Sequence, residues 1–153
     1  MPAAIPNRPY MKRFFSPGEE KEILNAIRLA ESRTSGEIRV HLANQIEQGL
    51  MVDAAEVFDD LGMSKTAARN GVLIYLVPLA HRFAILGDQG INEVVPEGFW
   101  DDVRDLMQQH FRQREFAEGI IAAIRRVAEK LAAYFPHQGE ADENELPDDI
   151  SYT

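Results

Sequence analysis

Two apolar runs separated by a short turn constrain this fold more than any other feature of the sequence. The runs cover residues 72–79 and 83–86, which is the length of buried strands, and the three residues between them have His81 at their centre. In an antiparallel hairpin the entry of the first strand lies beside the exit of the second. The entry is Arg-Asn-Gly at 69–71, and the exit is Gly-Asp-Gln-Gly at 87–90. We therefore expect these two polar segments to meet at one edge of a sheet.

Helix and strand signals on both sides of the hairpin complete an α/β pattern. Ser16 with Glu19 is a capping box, which predicts a helix that runs to about residue 33. Residues 37–43 alternate between apolar and polar side chains, as a strand with one buried face does. The remaining predicted elements are a helix signalled by Asp53 and ending before Gly62, a helix after Pro96 that carries Phe99 to His110, and a helix from Phe116 to Phe135 that Pro136 ends.

The order of these elements predicts the sheet topology. A strand, a crossover helix and a second strand form a right-handed parallel unit, so strand 37–43 should lie parallel to the first hairpin strand. The second hairpin strand then runs antiparallel. The predicted fold class is α/β, an α/β/α sandwich with a small mixed sheet between helix layers. The charged side chains of strand 37–43 place that strand at an edge.

Composition excludes several classes of function. The chain has 153 residues and a formal net charge of −9. Because it has no cysteine, disulfides, thiol catalysis and cysteine-bound metal are excluded. Nucleic acid is not an expected partner, because phosphate binding needs clustered Lys and Arg. We expect no direct membrane span, because the longest strongly apolar run is far shorter than the roughly 20 residues a helix needs. Without a signal peptide pattern, the expected localisation is cytoplasmic.

The sequence divides into three parts. Residues 1–13 are expected to be a flexible lead-in, residues 14–136 the domain, and residues 137–153 an acidic tail. An acidic tail of this kind usually keeps a protein solvated. The alternative is a docking peptide, because Leu146, Ile150 and Tyr152 are spaced apolar anchors that a solvating tail does not need.

The predicted topology brings six polar residues to one edge of the sheet. They are Glu37, Arg69, Asn70, Asp88, Asn92 and Glu93. Carboxylate and amide oxygens beside glycines suit a hard cation such as Ca²⁺ or Mg²⁺, and a guanidinium there can hold a phosphate in bidentate fashion. The alternative is purely structural: Arg69 pairs with Asp88 or Glu93, and the glycines only shape turns.

Other catalytic signatures are absent from the sequence. It contains no Gly-x-Ser-x-Gly elbow, no phosphate loop and no dinucleotide fingerprint, so no organic cofactor is expected. The four histidines include no His-x-x-x-His pair for zinc. Trp100 beside Phe99 is interpreted as core packing.

Several segments together resemble the TPM domain family. They are Thr-Ser-Gly-Glu-Ile-Arg-Val at 34–40, Arg-Asn-Gly-Val-Leu-Ile-Tyr at 69–75, Gly-Asp-Gln-Gly-Ile-Asn-Glu at 87–93 and Tyr-Phe-Pro at 134–136. The resemblance extends over residues 14–152 and is closest to the short bacterial branch. It implies an α/β/α sandwich resembling a Rossmann fold.

The resemblance also implies possible functions. Some chloroplast members are acid phosphatases that bind divalent metal, and bacterial relatives often accompany LemA-type membrane proteins. This chain has Asp88 where the phosphatase-like branch has an aromatic residue, and Asn92 where that branch has Glu. Metal ligation is then expected from Asp88, Glu93 and Glu97, and substrate or partner binding from Glu37, Arg69, Asn70 and Asn92.

Two functions follow from these expectations. The first is an interaction module, able to bind a divalent metal, that docks on a LemA-type or other membrane protein through the domain or the acidic tail. The alternative is a metal-dependent acid phosphatase of broad specificity. The sequence offers that enzyme one arginine and a few acids but no evident nucleophile.

Overall fold

The computed structural model describes residues 12–139 and 149–153. Its secondary structure follows the predicted order, with a short helix and a short strand added. The helices are α1 (Pro17–Glu31), α2 (Leu50–Asp60), α3 (Gln89–Asn92), α4 (Asp101–Arg112) and α5 (Phe116–Tyr134). The strands are β1 (Glu37–Leu42), β2 (Gly71–Val77), β3 (Arg82–Gly87) and β4 (Ser151–Tyr152).

The four strands form one mixed sheet in the order β3-β2-β1-β4. β1 is parallel to β2, with Glu37 opposite Gly71, and β3 is antiparallel to β2, with Gly87 opposite Val72. The predicted parallel unit and hairpin are therefore confirmed. One end of the sheet, which we call the polar end, holds the starts of β1 and β2 and the end of β3. At the opposite end, the hairpin end, residues 78–81 join β2 to β3.

Apolar side chains on both faces of the sheet make the sandwich. Alternate residues of β1 and β2, such as Val40 and Ile74, pack with α1, α4 and α5 in the larger core cluster. The other residues of β2, such as Leu73 and Tyr75, pack with α2 in a smaller cluster. The α/β/α sandwich with a small mixed sheet is thus confirmed.

Local chemistry explains where α1 and α2 begin. The Ser16 hydroxyl accepts a hydrogen bond from Glu19 N at 3.1 Å, and Ser16 N donates to Glu19 Oε1 at 2.9 Å, so the predicted capping box is present. Asp53 does not cap α2, which begins three residues earlier at Leu50. Its carboxylate accepts hydrogen bonds from Glu47 N and Gln48 N and thereby stabilises the loop before the helix.

The edge position predicted for β1 is wrong, and so is its single buried face. All six residues of β1 are buried, and the two residues of β4 pair with His41 and Leu42 in parallel. The alternation of side chains identified the apolar face correctly. It gave no information about the residues more than 100 positions later that cover the other edge.

β4 is held by its side chains as well as by its backbone. The two ring nitrogens of His41 contact Ser151 Oγ at 2.6 Å and Thr153 Oγ1 at 2.8 Å, and the ring stacks on Tyr75 at 5.3 Å between centroids. Burial and the nearby charge of Arg39 lower the pKa of His41 to about 4. Tyr152 donates its hydroxyl to Glu20 Oε2 at 2.5 Å, which ties β4 to α1.

The last residues of the predicted acidic tail therefore belong to the sheet. Ile150 and Tyr152, two of the three apolar anchors of the docking alternative, pack against the larger core cluster of the same chain. Leu146 and residues 1–11 of the predicted lead-in, which spans residues 1–13, lie outside the described residues.

Candidate functional site

The polar end of the sheet brings together two of the polar segments that the sequence singled out. Asp88 follows β3 and Arg69 precedes β2, and the antiparallel register places these two loops side by side. Asp88 N donates to Gly71 O at 3.0 Å, and Gly90 N donates to Arg69 O at 2.8 Å. The backbone of one loop is thus hydrogen-bonded to the backbone of the other.

An ion pair between Arg69 and Asp88 occupies the centre of this end. Arg69 Nε donates to Asp88 Oδ2 at 2.8 Å and Arg69 Nη2 donates to Asp88 Oδ1 at 3.0 Å, the bidentate arrangement. The Asp88 side chain is 7% exposed and that of Arg69 is 42% exposed. The hydrogen bonds that Arg69 donates to Asp88 raise the pKa of Arg69, and the charges of Asp88, Asp59 and Glu93 add to the effect. Asp88 Oδ1 also accepts Gln89 N at 2.7 Å, which makes Asp88 the cap of α3.

Backbone geometry fixes the approach of the two loops. Arg69 has a positive φ of 52°, a left-handed conformation that is uncommon for a residue with a side chain. A Cβ on Gly90 would lie 2.2 Å from Ala68 O and 2.6 Å from Arg69 O. Only glycine at position 90 lets α3 begin this close to the Arg69 loop.

An open groove lies beside the ion pair, between α2 and α3. Its volume is about 430 Å³, and its polar lining comes from Asp59, Asp88, Gln89, Asn92 and Glu93. Asn92 donates its amide to Gly87 O at 3.1 Å, and Gln89 donates to Glu93 Oε2 at 3.4 Å. The groove is therefore acidic, with the carboxylates of Asp59 and Glu93 at its surface. Asp59 comes from α2, and sequence reasoning missed it because its helical spacing marks it only as an outward residue.

The other three predicted site residues lie outside this groove. Asn70 is buried and donates its amide to Ser35 Oγ at 3.2 Å, toward the loop before β1. Glu37 is buried at the start of β1. Glu97 is exposed in the turn between α3 and α4. The structure thus brings Arg69, Asp88, Asn92 and Glu93 together beside the groove. Glu37 and Asn70 lie at the same polar end but outside the groove, and Glu97 lies in the turn after α3.

The arrangement at the polar end does not fit a divalent metal as it stands. In residues 12–139 and 149–153, no group of three or more His, Asp or Glu side chains is placed to hold a metal ion. Both oxygens of Asp88, the most buried of the three expected ligands, already accept hydrogen bonds from Arg69. A cation at Asp88 would therefore compete with the guanidinium for these oxygens.

The fold and this site define an α/β/α domain whose sheet ends in two loops joined by an Arg–Asp ion pair. A profile of the TPM domain matches residues 11–130, and the chain belongs to that family. Its structure is similar to the NMR structure of the BA42 protein from Bizionia argentinensis, with 43% sequence identity and a TM-score of 0.88. That similarity covers 94% of this chain and 98% of BA42.

Two more distant structures share the fold alone. The N-terminal domain of a protein from P. gingivalis is 22% identical with a TM-score of 0.69, over 84% of this chain and 83% of that domain. The N-terminal domain of cg2496 from Corynebacterium glutamicum is 14% identical with a TM-score of 0.61, over 88% of this chain and 84% of that domain. The comparison with curated proteins gives no match. Within the described residues, no helix has the length and apolar character needed to cross a bilayer.

Proposed function

We propose that this TPM domain is an interaction module and that the acidic groove between α2 and α3 is its contact surface for a cationic group of a protein partner. The observation that carries the proposal is the Arg69–Asp88 pair, because it occupies both oxygens of the buried carboxylate. A carboxylate bound in this way holds two loops in place, which favours a structural role over one as base or nucleophile. Asp59 and Glu93 remain on the groove as exposed acids.

The proposed partner is a LemA-type or other membrane protein. This part of the proposal rests on the family resemblance, and the charge of the groove adds that the partner should present Lys or Arg side chains. Exposed charges act mainly through long-range attraction, so the complex should weaken as salt is raised.

A binding experiment with a purified LemA-type protein tests the proposal. Asp59→Asn with Glu93→Gln should weaken the complex by about tenfold, since two favourable charges are lost. Asp105→Asn with Glu118→Gln is the matched control, because both acids are exposed on α4 and α5 and do not line the groove. Equal affinity in the two double variants would remove the groove from the interface.

A divalent cation is the other cationic ligand that an acidic groove takes. A ligand that binds only the folded protein raises its melting temperature, so titration with Ca²⁺, Mg²⁺ and Mn²⁺ detects one. A cation in this groove should raise the melting temperature of the parent but not of Asp88→Asn. It should raise that of Arg69→Met even more, because Arg69 competes for the same oxygens. Stabilisation unaffected by either change would place the cation elsewhere.

The alternative function, a metal-dependent phosphatase, has less support from the groove. Phosphoryl transfer needs a positioned nucleophile or a metal-activated water. Of the described residues that line the groove, none is Ser, Thr or His, and Asp88 is held by Arg69. We expect no turnover of 4-nitrophenyl phosphate with any of the three metals. Turnover that Asp88→Asn removes, while the melting temperature stays unchanged, would favour the enzyme.

A further inference from the structure

A second pocket lies at the hairpin end of the sheet, away from the groove discussed above. It has a volume of about 460 Å³ and lies between the turn that joins β2 to β3 and the turn that joins α4 to α5. Both turns are formed by residues of one folded domain, so the pocket needs no partner to complete its walls.

The inner wall of this pocket is apolar and largely aromatic. Phe83, Phe111 and Phe116 line it as half-buried residues, above the buried Leu76. Phe83 meets Phe111 edge to face at 5.3 Å between centroids, and Phe111 lies 5.5 Å from Phe116. Three rings in contact present a surface on which a flat apolar group can stack.

The rim of the pocket is cationic. Arg82 comes from β3, Arg112 from the end of α4 and Arg114 from the α4–α5 turn, and His81 stands beside them in the hairpin turn. No acidic residue is among the described residues that line the pocket. Within the part of the chain that the structure describes, no carboxylate lies within 4.0 Å of these three guanidinium groups. Three unpaired arginines around one apolar pocket are notable in a chain with 25 acidic residues and 16 basic ones.

Backbone strain at two of these residues points to a role for their side chains. His81 has a φ of 55° and Arg114 a φ of 61°. Arg114 follows the cap of α4, where Arg114 N donates to Phe111 O and Glu115 N donates to His110 O. In this hydrogen-bond pattern at a helix end, glycine is the usual residue because it has no Cβ penalty. His81 and Arg114 therefore both occupy left-handed positions, and both side chains line the same pocket.

We propose that this pocket binds a small organic anion that carries an aromatic or other flat apolar group. The apolar group lies on the phenylalanine wall, and its phosphate, phosphonate or carboxylate oxygens accept hydrogen bonds from Arg82, Arg112 and Arg114. Guanidinium groups suit such oxyanions because they donate two parallel hydrogen bonds. This site is independent of the proposed contact surface at the polar end.

Calorimetric titration of the full chain with phenylphosphonate tests the proposal, since the P–C bond of this probe resists hydrolysis. Methylphosphonate keeps the charge without the ring, and benzyl alcohol keeps the ring without the charge. We expect each to bind at least about tenfold more weakly than phenylphosphonate. Equal affinity for methylphosphonate would mean that the ring contributes nothing, and equal affinity for benzyl alcohol would mean that the charge contributes nothing. Either result would overturn the proposed ligand class.

Variants locate the site. Arg112→Gln with Arg114→Gln should weaken phenylphosphonate binding at least about tenfold, because two charge-assisted contacts are lost. Arg28→Gln on α1 is the matched control and should bind like the parent. Amide chemical shifts should change in residues 76–83 and 108–116. Undiminished affinity in the double variant, shifts confined to other residues, or no binding at millimolar probe would each overturn the proposal. Urea unfolding of the double variant distinguishes lost binding from lost folding.

Discussion

At the polar end Arg69 is held by both oxygens of Asp88, whereas at the hairpin end Arg82, Arg112 and Arg114 have no such partner among the described residues. The two ends share one unusual feature. The three non-glycine residues with positive φ in the described chain are Arg69, His81 and Arg114, so each end of the sheet has an arginine in this conformation. The same left-handed backbone conformation thus occurs at both ends, with different roles for the side chain. At one end the cation closes the structure, and at the other it faces solvent beside an apolar wall.

The largest expected effect tests how tightly the polar end is built. Gly90→Ala places a Cβ 2.2 Å from a backbone oxygen, which cannot move without separating the loops. We expect the free energy of unfolding to fall by more than about 3 kcal/mol. Gly18→Ala is the control, since its nearest atom is 3.9 Å away. Urea unfolding of both variants measures the difference, and similar stability for the two would mean that the loops are not in close contact.

Lowering the pH should destabilise the fold through His41, which lies near the hairpin end of β1. The folded pKa is about 4 against an ordinary value of 6.5, so the unfolded chain binds a proton between these values that the folded chain does not. Stability therefore falls as pH falls through this window, and His41 accounts for roughly 3 kcal/mol of the loss by its lower limit.

The measurement compares the parent with His41→Gln, which cannot titrate, by urea unfolding at a series of pH values. The variant starts less stable at pH 7, and its stability should depend less steeply on pH than that of the parent. Parallel curves would show that His41 titrates normally. The ring resonances of His41 in NMR spectra report its pKa directly.

Replacing Arg69 at the polar end tests whether the Arg69–Asp88 pair stabilises the fold. Arg69→Met leaves the Asp88 carboxylate buried with one backbone hydrogen bond, and we expect a clear fall in the free energy of unfolding. Arg104→Met is the matched control: Arg104 pairs with Asp101 at 3.0 Å, against 2.8 Å for Arg69 and Asp88, but both of its side chains are exposed, so a smaller change is expected. Equal effects of the two changes on thermal or urea unfolding would contradict the difference between a buried and an exposed pair.

The smallest expected effect concerns the hairpin end, where a substitution should raise the free energy of unfolding rather than lower it. Arg114→Gly removes a side chain from a left-handed residue, so we expect the protein to become more stable by about 1 kcal/mol. Arg112→Gly, two residues earlier in the right-handed last turn of α4, should instead destabilise by up to about 1 kcal/mol. Urea midpoints of the two variants that shift in the same direction would show that the backbone at residue 114 is not strained.

The sequence predicts the polar end better than the hairpin end, for a physical reason. Strand register follows from the alternation of side chains, and a right-handed crossover fixes the neighbour of β1, so the meeting of Arg69 and Asp88 can be inferred. The hairpin pocket depends on how the α4–α5 turn packs on the sheet. Gly119 allows that packing, because a Cβ there would lie 2.7 Å from the ring of Phe111. Single-sequence patterns do not encode such contacts between distant segments.

β4 was missed for a related reason. Two residues are too few to show a period of two, and the residue that Ser151 contacts lies 110 positions earlier. The sequence shows three apolar anchors in the tail, but a strand that adds to its own sheet and a peptide that docks on another protein have the same composition. Only the structure distinguishes the two for Ile150 and Tyr152.

The attachment of β4 has a practical consequence for shortened versions of this protein. Thr153 N donates to Leu42 O and Asn44 N donates to Thr153 O, so the last residues satisfy the outer backbone groups of β1. A chain cut before residue 149 would leave those groups bare at the end of β1, and an unpaired strand edge is a template for pairing with an identical molecule. Shortened preparations should therefore self-associate. The oligomeric state that gel filtration reports for them would result from the truncation and not from the native domain.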